Sequence, residues 1–355
     1  MNILAFTRYG RTGASSRLRF MQYGPELEAM GCSVQYEQLF LDGYIDSLQS
    51  GQSRRYMAVK SLLSRILTLR NSQQFEVLWI EKDALPWLPA FLELSLIPKH
   101  VPLVLDYDDA VFHQYDLHPN LLVSQILGGK HQALMRRAAL VIAGNPYIAE
   151  YAKRAGARSV ELLPTVVDLA RYWPAPNQSV SKPTVGWIGQ RSTAAYLKPL
   201  AQLFERLCKE KLMQFLAVGI DAHDFDLPMD SEAWSEETEV ASIQQMDVGI
   251  MPLEDSSFER GKCGYKLIQY MACGLPVVAS PVGVNASIVE HGVNGFLATT
   301  VDEWEQALRA LAVDPALRRR MGQAGRGKVE REYCLRVTAP RLTSLLFEAA
   351  RGKRA

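Results

Sequence analysis

Short apolar, β-branched runs recur along the first half of the chain, at 3–7, 33–36, 77–80, 103–106, 140–143 and 160–163. Each is four or five residues long and most are almost wholly apolar, the pattern of strands buried on both faces of a parallel sheet. The segments between them are long enough for crossover helices. The stretch 173–183, WPAPNQSVSKP, then breaks the pattern with three prolines and no periodicity, and reads as a linker. Beyond it the alternation restarts, with strands expected at 184–188, 215–218, 248–251, 276–279 and 295–298 and helices at 197–207 and 266–273. From Val301 the chain is helical in character, and its last residues, 351–355, are expected to fray. Two strand–helix halves around a linker predict two doubly wound α/β domains. Ligands in such domains bind outside the carboxyl ends of the strands, so chemistry is sought in the loops that follow strands.

The length of 355 residues agrees with two domains, since one hydrophobic core stops growing before that size. Lys and Arg number 39 against 38 Asp and Glu, a net charge of +1, which argues against a dedicated nucleic-acid binder. The five cysteines, Cys32, Cys208, Cys263, Cys273 and Cys334, form no C-x-x-C pair, so free thiols in a reducing cytosol are expected. The first apolar run has no charged region before it and no apolar stretch reaches 18 residues, so a cytoplasmic chain without a spanning helix is expected.

Most familiar catalytic motifs are absent. Gly322, Gly327 and Lys328 match the start of a phosphate loop, but Val329 replaces the metal-binding hydroxyl and the segment does not follow a strand. No G-x-G-x-x-G follows the first strand, and neither G-x-S-x-G nor H-E-x-x-H occurs. Three stretches remain. Asp106, Tyr107, Asp108 and Asp109 follow an apolar strand. Those carboxylates can orient a substrate hydroxyl, accept its proton, hold a divalent cation or cap a helix. The loop from Arg8 to Arg17 joins two glycines, hydroxyls and arginines before a helix, which makes an anion site or an ordinary tight turn. The segment 259–276 brings Arg260, Lys262 and Lys266 to a glycine-rich helix start at about Tyr265. Amides and cations converging there suit a diphosphate, and the alternative is a solvated charged turn.

The segment 259–280, with Pro281-Val282-Gly283-Val284-Asn285 and 288–297 after it, resembles the donor-binding core of glycosyltransferase family 4. Leu163-Pro164-Thr165-Val166-Val167-Asp168 resembles that family's inter-domain turn, and Val185-Gly186-Trp187-Ile188-Gly189 the strand that opens its second domain. The matches fall in order over nearly the whole chain. The resemblance implies a GT-B fold, with two Rossmann-like domains facing across a cleft: 1–172 for the acceptor, the linker 173–183, 184–335 for the nucleotide sugar, and a helix at 336–355 returning to the first domain. It also implies transfer with retention at the anomeric carbon, with no metal or other cofactor beyond the sugar nucleotide. The family's two glutamates, with seven residues between them, are here Gly261 and Gln269, its opening-strand arginine is Trp187, and Asp108 or Asp109 stands where relatives have a histidine.

On that basis Asp108, Asp109 and Lys266 are the expected catalytic residues. Gly13, Ala14, Ser15, Arg191, Lys262, Gly264, Tyr265, Lys266 and Gln269 are expected to bind the donor, and Arg11, Arg17, His113 and Asn145 to lie on the acceptor side. The expected partners are a nucleotide sugar and a glycan or lipid-linked acceptor, in the assembly of surface polysaccharide or glycoconjugate. A nucleotide-sugar epimerase of the same fold and a non-catalytic nucleotide-sugar-binding protein are the competing readings. Residues 53–70 hold Arg54, Arg55, Lys60, Arg65 and Arg70 and no acid. They form either a contact with the anionic inner face of the cytoplasmic membrane or a crossover helix with a solvated basic face.

Overall fold

A computed structural model describes residues 1–40, 54–174 and 182–352 of the chain. Its residues group into two compact units. One comprises Met1–Thr165, Gly261–Cys263 and Arg336–Ala355, the other Val166–Arg260 and Gly264–Leu335. Of the linker expected at 173–183, residues 175–181 lie outside the described residues.

The first unit is built on a parallel sheet of β1 (Asn2–Thr7), β2 (Ser33–Gln38), β3 (Val77–Glu81), β4 (Leu103–Tyr107), β5 (Leu140–Ala143) and β6 (Val160–Leu162), ordered β2-β1-β3-β4-β5-β6. Central strands β3, β4 and β5 are buried at every position, which explains why they are apolar until Glu81 and Asp106 near the ends of β3 and β4. Helices on this unit include α1 (Ala14–Arg19), α2 (Arg54–Arg70), α3 (Ala90–Leu96) and α4 (Leu121–Leu127). The register sets Glu81 of β3 beside Asp106 of β4, so the charged residues after both strands emerge together. The second unit repeats the plan with β7 (Thr184–Ile188), β8 (Gln214–Val218), β9 (Asp230–Glu232), β10 (Val248–Met251), β11 (Val277–Ala279) and β12 (Gly295–Leu297), ordered β12-β11-β10-β7-β8-β9. The expected helix at 197–207 is instead a 3₁₀ turn, Ala195–Leu200, containing Pro199, followed by a helix over Ala201–Lys209. Proline at that position removes a backbone donor and breaks the run. Helix α5 (Tyr265–Ala272) starts at Gly264, whose φ of 67° is costly for any other residue.

Helix α6 (Pro315–Glu332) carries the glycines of the rejected phosphate-loop match. A Cβ on Gly322 would lie 1.9 Å from the Gly274 carbonyl oxygen, and one on Gly325 2.9 Å from Met271 Cγ. Those glycines let α6 close onto the turn after α5, and Lys328 is spent on the Ser287 carbonyl and Glu290. Gly322→Ala is therefore expected to destabilise the chain by about 1–3 kcal/mol, because the clash is with backbone and no side chain can swing aside. The urea midpoint measures it, and a midpoint equal to wild type would disprove the tight approach. Helix α7 (Leu335–Arg351) packs within the first unit, where the Thr338 and Tyr23 hydroxyls lie 2.9 Å apart and Arg341 pairs with Glu161.

Candidate active site

The carboxyl ends of β1, β3 and β4 hold a dense ionic group in the first unit. The Ser15 hydroxyl, at the start of α1, donates to Asp108 Oδ2 at 2.5 Å, and Lys82 Nζ lies 2.8 Å from Asp108 Oδ1 and 3.1 Å from Ser15 Oγ. Glu81 accepts from the Ser16 hydroxyl at 2.6 Å and from the Arg8 backbone N–H at 2.8 Å. Arg8 reaches Asp83, which Lys130 binds from the other side at 2.8 Å. Beneath these, Arg19 donates to Asp106 at 2.8 Å in a fully enclosed pair. Lys82 is buried, with φ of 63°. A lysine in the left-handed region stores backbone strain, and such residues cluster at functional sites.

Charges in this group set each other's protonation. Against its burial, Lys82 and the Ser15 hydroxyl hold Asp108 down at about 2. Asp109 is pushed up to about 6 by burial and by the neighbouring Asp108, despite Lys82, Lys262 and the Cys263 N–H. Two adjacent carboxylates thus differ: one is a locked anion, the other titrates close to neutral pH. Burial likewise raises Asp106 to about 6, Arg19 notwithstanding.

Sequence reasoning missed Lys82. The available signal was the charged triplet at 81–83 directly after a wholly apolar strand. The predicted donor ligand Lys262 lies in the first unit, its charge acting on Asp109. Asn145, placed on the acceptor side, instead caps the helix over Pro146–Arg154 and donates to the carbonyls of Gly261 at 2.7 Å and Lys262 at 3.3 Å. His113 has both ring nitrogens engaged, one by Asp116 and one by the Tyr147 hydroxyl, each at 2.8 Å. Arg17 is buried and donates to the Arg11 carbonyl. The Gly13 N–H closes a turn onto Gly10, and a Cβ there would lie 2.4 Å from Tyr9 Cβ, so this glycine serves a tight turn that delivers Ala14 and Ser15.

In the second unit, Lys266 projects from α5 to the carboxyl end of β7. Its Nζ lies 4.3 Å from the Trp187 ring centre and 3.5 Å from Thr193 Oγ1. A Cβ on Gly189 would come within 2.6 Å of that Nζ, so the bare backbone turn leaves room for the ammonium. Arg191, expected beside it, is two-thirds exposed, pairs with Asp224 and rests on the Phe225 ring. Gln269 is buried and donates to the Tyr172 hydroxyl at 2.9 Å. That hydroxyl in turn donates to Glu239 and lies 3.4 Å from the Tyr265 hydroxyl. Gln269, expected at the ribose, thus takes part in an internal network through its amide N–H. Glu259, overlooked in the sequence, is a buried carboxylate bonded to the hydroxyls of Tyr196 and Ser256. Among the described residues no group of three or more His, Cys, Asp or Glu is arranged to hold a metal ion, and no helix is long and apolar enough to cross a membrane.

Residues 182–314 match the family model described as Glycosyl transferases group 1. The chain is 43% identical over 63 residues to a D-inositol 3-phosphate glycosyltransferase of Kribbella flavida, covering 17% of this chain and 15% of that protein. It is 24% identical over 253 residues to a GDP-mannose-dependent monoacylated alpha-(1-6)-phosphatidylinositol monomannoside mannosyltransferase of Corynebacterium glutamicum, covering 62% and 66%. Its match thus spans under a sixth of the first relative and about two thirds of the second. Among solved structures, sucrose-phosphate synthase from Thermosynechococcus elongatus aligns with a TM-score of 0.74 at 16% identity, covering 98% of each chain. An Anabaena protein in complex with UDP and glucose aligns at 0.69 and 15%, covering 98% of this chain and 99% of that one.

Proposed function

We propose that this chain, whose residues 182–314 belong to the glycosyl transferases of group 1 and whose fold is GT-B, moves a sugar from a nucleotide-diphosphate sugar to an acceptor hydroxyl with retention of anomeric configuration. The observation that carries the reading is Lys266, an ammonium held at the carboxyl end of β7 beside the Trp187 ring, where the bare backbone of Gly189 leaves room for it. The nucleotide in the name of the Corynebacterium relative and the UDP in the Anabaena complex support a nucleotide-sugar donor.

In this mechanism the second unit binds the donor. Lys266 meets the negative charge that builds on the departing diphosphate, and a preorganised cation there lowers the barrier without reorganising at the moment of reaction. Asp109 takes the proton of the acceptor hydroxyl, while Lys82 and Ser15 keep Asp108 ionised beside it. Retention proceeds by same-face attack or through a short-lived intermediate. The acceptor is a glycan or lipid-linked glycan, and the setting is cytoplasmic assembly of surface polysaccharide or glycoconjugate. The basic helix α2 contributes to contact with an anionic membrane face.

Gly261 and Gln269 in place of two glutamates favour a second reading, a protein that binds nucleotide sugars without turning them over. Two measurements separate the readings. A thermal-shift panel of nucleoside diphosphates identifies the base, since a ligand at 100 times its Kd stabilises by about 2.7 kcal/mol. Incubation with the matching sugar nucleotide and candidate acceptors then yields an acceptor-dependent mass increase of one sugar. Stabilisation without any such product establishes the binding protein, and no stabilisation by any diphosphate overturns both.

A further inference from the structure

Large apolar side chains are exposed together on one part of the first unit. Trp87, Phe91, Leu117, Leu121, Leu122 and Ile126 all face solvent, Phe91 by 69% and Leu121 by 73%. They come from two stretches that the fold joins. Trp87 follows β3 with φ of 64°, a left-handed conformation unusual for a bulky residue, and directly precedes α3, which carries Phe91. Its backbone N–H donates to the Tyr115 hydroxyl at 3.1 Å, and its ring stands edge-on to Tyr115 and to His118. Leu117 adjoins His118, and the helical turn His113–Asp116 packs against α4, the source of Leu121, Leu122 and Ile126. On the other side α2 packs against α3 and adds Val59, Leu63 and Leu67, an exposed stripe at every fourth residue. The inner face of α2 is separately satisfied. Leu69 is buried, and Arg65, expected on the solvated basic face, turns inward to the carbonyls of Thr7 and Glu37. A helix apolar on both sides has one face unpartnered.

Composition and charge decide what covers this face. Residues 84–92 and 117–129 contain no Asp, Glu, Lys or Arg, whereas protein interfaces carry a polar rim and directional hydrogen bonds. The acid that follows them, Glu93, is buried against Lys130 and the Ala84 N–H. Helix α2 contains five basic residues and no acid, with Lys60 and Arg70 exposed at the border of the stripe. An apolar, uncharged centre edged by cations complements an anionic bilayer. We infer that this face seats on an anionic lipid surface, with Trp87, Phe91, Leu121 and Leu122 entering the headgroup–acyl boundary and Lys60 and Arg70 meeting the headgroups. The inference rests on the proposed lipid-linked acceptor, which is presented at such a surface, and moves the main contact from the basic helix to the α3 and α4 side chains.

Flotation of the full chain with phosphatidylcholine vesicles, with and without phosphatidylglycerol, tests it. Wild type is expected to float with the anionic vesicles and to keep part of that binding in high salt. The triple variant Trp87→Ser, Leu121→Ser, Leu122→Ser is expected to bind at least about tenfold more weakly at every salt concentration. The variant Lys60→Gln, Arg70→Gln should lose only the salt-sensitive part. Since none of the substituted side chains belongs to the proposed donor site and each is more than half exposed, the nucleotide-dependent thermal shift of the triple variant should equal wild type. Its transfer to a water-soluble acceptor analogue should be unchanged, while transfer to a vesicle-borne acceptor falls. No flotation of wild type at low salt, or equal flotation of the triple variant, overturns the inference. So does a wild-type dimer in sedimentation that the triple variant converts to monomer, for then a second copy covers the face. Flotation that depends on Trp87, Leu121 and Leu122 in a protein that transfers no sugar overturns the proposed activity and leaves the lipid surface standing.

Discussion

Replacing Asp109 by Asn is expected to lower kcat by roughly 10²–10⁴, the contribution of a positioned general base. The amide keeps an oxygen for the Cys263 N–H, so the fold is preserved while the proton acceptor is lost. The pH profile supplies the independent check. Burial and Asp108 hold the Asp109 carboxyl up at about 6, so it is protonated and inactive below that pH and ionised above it. The wild-type kcat/KM should therefore rise as pH increases through about 6 and then level. In Asp109→Asn that limb should disappear. Lys82→Met removes a cation that favours the ionised carboxylate, so the same limb should move to higher pH with a smaller loss of rate at its plateau. Full activity of Asp109→Asn with an unaltered profile would assign the acceptor's proton to another group.

Lys266→Ala is the second large effect, a loss of roughly 10²–10³ in kcat, equivalent to about 2.7–4 kcal/mol. Removing the side chain uncovers the Trp187 face and the Thr193 hydroxyl. Binding separates an electrostatic from a packing role. Affinity for a nucleoside diphosphate should fall, while affinity for the matching monophosphate should stay near wild type. Calorimetry with both ligands measures this, and equal weakening of the two would show that Lys266 acts on the nucleoside side. Arg191→Ala should be mild by comparison, because that guanidinium is largely in solvent and already paired with Asp224.

Eleven of the twelve described strands coincide with the short runs expected from the sequence. The exception, β9, reads Asp-Ser-Glu and pairs only at the edge of its sheet, where one open side removes the demand for apolar residues. Of the residues the proposed mechanism uses, Ser15, Asp108, Asp109 and Lys266 stand out in the sequence because they cluster with glycines or acids in the loops after strands. Lys82 was not, since a lone lysine after β3 means little until the register brings β3 and β4 side by side. His113, Asn145 and Gln269 carried suitable chemistry in suitable places, yet their side chains bond Asp116 and Tyr147, the Gly261 carbonyl, and Tyr172 respectively. Which partner claims a polar group depends on residues up to 116 positions away along the chain, and local pattern carries no such information.

By itself the sequence determined the two α/β halves, the parallel sheets and the loops where chemistry gathers, because apolar periodicity and turn residues act over a few positions. Only the tertiary structure decided which of two adjacent aspartates is locked and which titrates. It also placed Lys262 against Asp109 and turned Arg65 inward, leaving the opposite side of α2 as an apolar stripe. Those outcomes depend on burial and on charges brought together from distant segments, and both arise when the sheets assemble.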